Sequence, residues 1–148
     1  METTSKARIW GGRAMSGIAV LFLVMDGLMK VMHAIPFEPG DELLLGFDPS
    51  AMPMIGALLL ACTAIYVAPR VSLLGAILLT GYLGGAVASH VRVDNPLFTH
   101  TLFPTYAAAL IWGGLLLRHP GLSLLLPARE KRAAAAPDAP PTLAHARR

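Results

Sequence analysis

The sequence predicts an all-α protein, a transmembrane four-helix bundle with its N- and C-termini cytoplasmic. Three observations carry that expectation. Only 14% of the 148 residues are charged and 55% are hydrophobic, with a mean hydropathy of +0.59, whereas an average soluble domain is about 25% charged. The apolar residues fall in four blocks, each near the ~20 residues that span a bilayer. The basic residues collect on one side of those blocks, as cytoplasmic loops do. A soluble globule, a disordered chain and a nucleic-acid-binding domain all fit this pattern poorly, because the net charge of +3 comes mostly from residues flanking the apolar blocks. The single cysteine, Cys62, lies inside a block, which leaves neither a disulfide framework nor a CxxC redox pair.

Each element follows in order. Residues 1–13 form a basic N-terminus with Lys6, Arg8 and Arg13. The first helix is expected over about 14–35. It is longer than a signal-peptide core and has no convincing small-x-small cleavage site, and Pro36 stops it. Residues 37–50 make an acidic loop with Glu38, Asp41, Glu42 and Asp48, in which 42–45 can form a short interfacial turn. Ser50 and Pro53 read as an N-cap and an early helical proline for a second helix over about 51–68. Pro69-Arg70 makes a tight turn into a third helix over about 71–91. A polar stretch then leads to a fourth over about 100–117, so that 14–126 is the membrane domain. The Ala/Pro/Arg-rich tail, 127–148, cannot supply a packed core and is expected to be disordered and cytoplasmic.

Orientation follows from charge. Ten of the twelve Lys and Arg residues lie on the side of the two termini and of Arg70, and the opposite loops hold Arg92 and five of the nine acids, with Lys30 near a helix end. An even number of helices independently puts both termini on one side. The location implied is the cell's inner (plasma) membrane, multi-pass, with the two longer loops facing out.

Ionisable groups inside membrane helices are costly, so their positions are informative. Asp26, Lys30 and His33 lie at spacings of four and three, on roughly one helix face. His90, Arg92 and Asp94 end the third helix, and His100 begins the fourth. All fall in the outward half of the predicted bundle. They define a candidate ligand-binding pocket lined by Asp26, Lys30, His33, His90 and His100, with Arg92 and Asp94 at its rim and Tyr82, eight residues before His90, pointing in from deeper down. Asp26 can hold Lys30 charged as an i, i+4 pair, and a histidine can shuttle protons near neutral pH. Such a set suits a quinone head group, a small anion or a proton-coupled redox step. The competing account is that the long side chains snorkel to the interface or pair structurally. No catalytic residue is assigned. His33, His90 and His100 come from three separate segments with no local metal motif, so structural or proton-handling histidines are expected rather than a metal or haem site.

The third helix also carries Gly81, Gly84, Gly85, Ala88 and Ser89, and the fourth Ala109 and Gly113. Small residues let membrane helices approach closely. The expectation is packing within the bundle, with a homo-oligomer contact as the alternative.

The stretch Gly81-Tyr-Leu-Gly-Gly-Ala-Val-Ala-Ser-His90-Val-Arg92 resembles the third-helix signature of the bacterial DoxX-like proteins. The likeness continues through Pro96, His100, Pro104 and Trp112-Gly-Gly to Leu117-Arg118-His-Pro and Leu126-Pro127, and Met25-Asp26-Gly-Leu-Met-Lys30 resembles the first-helix pattern. It spans about residues 16–127. The resemblance implies a four-helix membrane bundle in which Lys30, His90, Arg92 and His100 match family positions. The family is named after the small membrane subunit of an archaeal thiosulfate:quinone oxidoreductase, and distant relatives serve as cargo receptors or assembly chaperones.

Two functions follow as expectations. One is a redox-associated accessory that binds a quinone or small molecule in the outward-facing pocket. The other is a non-enzymatic assembly or cargo-interaction protein with a membrane-protein partner. In both, the lipid bilayer is the environment and nucleic acid is not a partner. Whether the chain is itself an enzyme stays open.

Overall fold

A computed structural model describes residues 6–32 and 45–125, with side chains described as far as Leu122. The helices are α1 (Lys6–Val31), α2 (Met52–Val67), α3 (Ser72–Arg92) and α4 (Phe103–Arg118). A 3₁₀ turn over Pro49–Ala51 leads into α2, a wide helical turn over Leu97–Thr101 leads into α4, and a 3₁₀ turn over Pro120–Leu125 follows it. All four helices, taken with their leading turns, are long and apolar enough to cross a membrane. Among the described residues there is no strand. Residues 1–5, the acidic segment 33–44 and the tail 126–148 lie outside the described residues.

The helices form a ring. α1 packs against α2 and α4, α3 packs against the same two, and α1 and α3 stand on the diagonal. Leu23, Leu59, Tyr66, Leu79, Ile111 and Leu115 form the centre, each at most 1% exposed. Close approach depends on glycine. A Cβ on Gly56 would stand 2.7 Å from the Gly27 carbonyl, and one on Gly12 would stand 2.9 Å from the Gly114 carbonyl. These contacts set the α1–α2 and α1–α4 crossings. On α3 the outcome differs from expectation: Gly81, Gly84 and Gly85 have nothing within 4 Å of where a Cβ would sit. Their small size opens space instead of admitting another helix of the bundle.

Helix ends explain the other departures from the sequence reading. α1 starts at Lys6, not near residue 14, since Lys6, Ala7 and Arg8 are good helix formers with no proline before them. Its 26 residues run about 39 Å at 1.5 Å each, beyond the ~30 Å hydrocarbon core, so the basic first turns project past it. The cap before α2 is Asp48, not Ser50. The Asp48 Oδ1 accepts from the Ser50 backbone N at 2.8 Å, and hydrogen bonding from Ser50, by side chain and backbone, holds this exposed carboxyl below its usual range.

α3 ends in a Schellman motif. The Asn95 N–H donates to the His90 carbonyl and the Asp94 N–H to that of Val91, with Asp94 in the left-handed region at φ 54°. Asp94→Gly should therefore hold or raise stability, while Asp94→Val should cost about 1–2 kcal/mol. Thermal melting in detergent checks both.

Candidate functional site

Four helices and one loop enclose a cavity of about 420 Å³, within the range of small-molecule sites. Asp26 and Lys30 reach it from α1, Met52 and Ile55 from α2, Tyr82, Ser89 and His90 from α3, and Phe103 and Ala107 from α4. The polar side chains gather at the end of the bundle where α1 and α3 finish and α2 and α4 begin. Deeper in, the walls are apolar, and Phe22 meets Phe103 edge-on with ring centroids 4.9 Å apart.

Lys30 Nζ donates to Asp26 Oδ1 one helical turn away. The charge of each is thus answered by the other, and the mouth of the cavity presents a neutral pair. The Lys30 stem is fixed by packing, since its Cβ lies against Gly56 at the α1–α2 crossing. His90 Nδ1 sits 2.9 Å from Asn95 Nδ2. An amide nitrogen can only donate, so Nδ1 accepts and the neutral ring carries its proton on Nε2. The Schellman turn places Asn95 for this bond, so the helix terminus also sets the tautomer.

The sequence-predicted residues separate into groups. Asp26, Lys30, Tyr82 and His90 all line the cavity. His100 stands beside His90, ring centroids 6.3 Å apart, and bonds Thr99 Oγ1 at 2.8 Å, but is not part of the lining. Arg92 turns away from the cavity to hold the loop: its Nη2 donates to the Leu45 carbonyl at 2.8 Å, and its guanidinium lies 5.3 Å from the Phe47 ring centre. Gly46, at φ 76°, lets the chain bend there, and a Cβ on it would stand 2.7 Å from that guanidinium. Leu45 and Phe47 thereby become cavity wall. Asp94 is spent on the helix cap, and His33 lies outside the described residues. Among the described residues no three of His, Cys, Asp and Glu gather as metal ligands do.

The sequence model of the DoxX-like family matches residues 14–114, a stretch that contains every residue of the cavity wall. The chain belongs to the DoxX-like family. No curated protein and no solved structure matches it. Membership and four spanning-length helices make this DoxX-like chain a multi-pass membrane protein.

A second polar cluster of this DoxX-like protein lies at the opposite end of the bundle and was missed in the sequence. Tyr66, 1% exposed, donates its hydroxyl proton to the Ile111 carbonyl at 3.0 Å. The phenolic oxygen then accepts from Ser16 Oγ at 2.8 Å and from Arg118 Nη2 at 3.1 Å. The only hints were the Gly12-x-x-x-Ser16 spacing and a tyrosine within an apolar helix. Tyr66→Phe leaves two donors without their acceptor and should cost about 1–3 kcal/mol, read as a lower melting temperature in detergent.

Proposed function

We propose that this chain is a redox-associated accessory of the bacterial inner membrane that holds a quinone, or a small molecule of similar shape, in its cavity. One observation carries the reading: an apolar slot ends in a cluster of polar groups contributed by different helices, with Lys30 and His90 at its mouth. The walls suit a flat ring, and Lys30 Nζ and His90 Nε2 suit its carbonyl oxygens as donors. The neutral Asp26–Lys30 pair favours an uncharged head over a small anion. With the termini cytoplasmic, as the distribution of basic residues predicts, the mouth faces outward. A bound quinone would supply the electron chemistry, and these side chains would orient it and exchange protons with it.

The expected result is that His90→Ala and Lys30→Ala each abolish binding of a short-chain benzoquinone, measured by fluorescence titration in detergent, while both variants still insert. Unchanged binding in both overturns the reading. The assembly or cargo-interaction reading has one observation on its side: Gly84 is exposed on α3 with nothing within 4 Å, where a helix from another chain can approach. Crosslinking in native membranes that recovers a distinct membrane protein through α3 supports it.

A further inference from the structure

The cavity also has an inner end. Gly81 lies nine residues before His90 on α3, and Phe22 lies eight before Lys30 on α1, so both sit about 12–14 Å deeper than the polar mouth. In a hydrocarbon core of ~30 Å that depth approaches the bilayer centre. Here the wall is not closed. Leu58 lines the cavity yet is 56% exposed, and Gly81 lines it with no neighbouring atom within 4 Å of a built Cβ.

The hairpin of α2 and α3 explains the gap. Gly75 packs on the Tyr66 backbone and fixes the register of the two antiparallel helices. Eight residues back from Tyr66 and eight on from Gly75 bring Leu58 level with Leu83, and eleven bring Ile55 level with Ala86. All four residues face the cavity. The two helices are in tight contact near their turn and have space between them further along, where Gly81 and Gly85 contribute no side chain.

We infer that the cavity opens sideways between α2 and α3 into the lipid, and that its occupant is a single-chain amphiphile dissolved in the bilayer. The head lies at Lys30 and His90, and the tail leaves between Leu58 and Gly81. This rests on the reading that the cavity holds a ligand by a polar head, and it adds the tail and the route of entry. A water-borne ligand would need no opening at this depth.

The test uses the full chain in liposomes containing a long-chain fatty alcohol with a diazirine in mid-chain, with crosslinks mapped by mass spectrometry. Label is expected on the inner walls at Phe22, Tyr82 and Leu83 as well as on lipid-facing Ile77, which is 53% exposed. Leu83 is only 6% exposed, so the probe reaches it through the cavity. Gly81→Leu fits the open space, favours the helix and plugs the gap. The inner-wall label should be lost in that variant while label on Ile77 remains. Absence of inner-wall label in the unmodified chain, or equal inner-wall label in both, overturns the inference. Label that depends on Gly81, found in a protein that binds no quinone, upholds the lateral opening and overturns the quinone head group alone. Quinone binding without inner-wall label does the reverse.

Discussion

Gly75→Val should be the most damaging single substitution in the bundle. A side chain at position 75 would be driven into the Tyr66 backbone rather than against a flexible side chain, so the neighbour cannot yield by changing rotamer. Overpacking of a core usually costs about 1–3 kcal/mol, and the rigid neighbour puts this case at or beyond the top of that range. The position also lies only four residues after Val71, where a short turn joins α2 to α3, and a short turn cannot absorb a shift of either helix. Melting in detergent should show a large drop for Gly75→Val. Gly81→Ala is the matched control: nothing lies within 4 Å, and replacing a helical glycine favours the helix by about 1 kcal/mol. Equal effects of the two substitutions would show that the hairpin contact does not hold the fold.

Breaking the Asp26–Lys30 pair should have the second-largest effect. Lys30→Met keeps the aliphatic stem that packs at Gly56 but leaves Asp26 facing an apolar cavity without its partner. Removing one member of a fully buried pair costs about 3–5 kcal/mol. The cost here should fall below that, because Lys30 and Asp26 side chains keep 22% and 35% exposure. The double variant Asp26→Asn with Lys30→Met removes both charges and should recover most of the lost stability without recovering quinone binding. A double variant that melts as low as the single one would show that charge pairing is not what Lys30 supplies to the fold.

The bundle itself was legible because lipid leaves the backbone few choices: with no water to satisfy its polar groups, a span must be a helix or part of a closed barrel, and apolar blocks near ~20 residues long select the helix. Four of the eight residues that the sequence singles out line the cavity of the candidate site, and they were legible for a similar reason. Asp26 and Lys30 are one turn apart, Tyr82 and His90 share a face of α3, and helical periodicity alone places them. Arg92 and Asp94 carry the same chemistry, but their roles depend on the path of the chain after a helix ends. A left-handed residue at 94 and a loop returning to 45 leave no periodic trace. The glycines of α3 show another limit, since a small residue permits close approach without saying whether a neighbour arrives. Tyr66 and Ser16 meet across fifty residues of chain, a pairing that no local spacing encodes.

The Tyr66 hydroxyl joins α1, α2 and α4 at one end of the molecule, and Gly75 brings α3 onto the same residue. Further along, Gly27 on Gly56 still ties α1 to α2, so it is the α2–α3 pair, in contact at Gly75 and apart at Gly81 and Gly85, that behaves as a cantilever. A tilt too small to disturb the clamp becomes, a helix length away, a change in the width of the slot. The width of the gap between α2 and α3 is therefore governed from the far end, where Tyr66 and Gly75 set how stiffly that hairpin resists being spread.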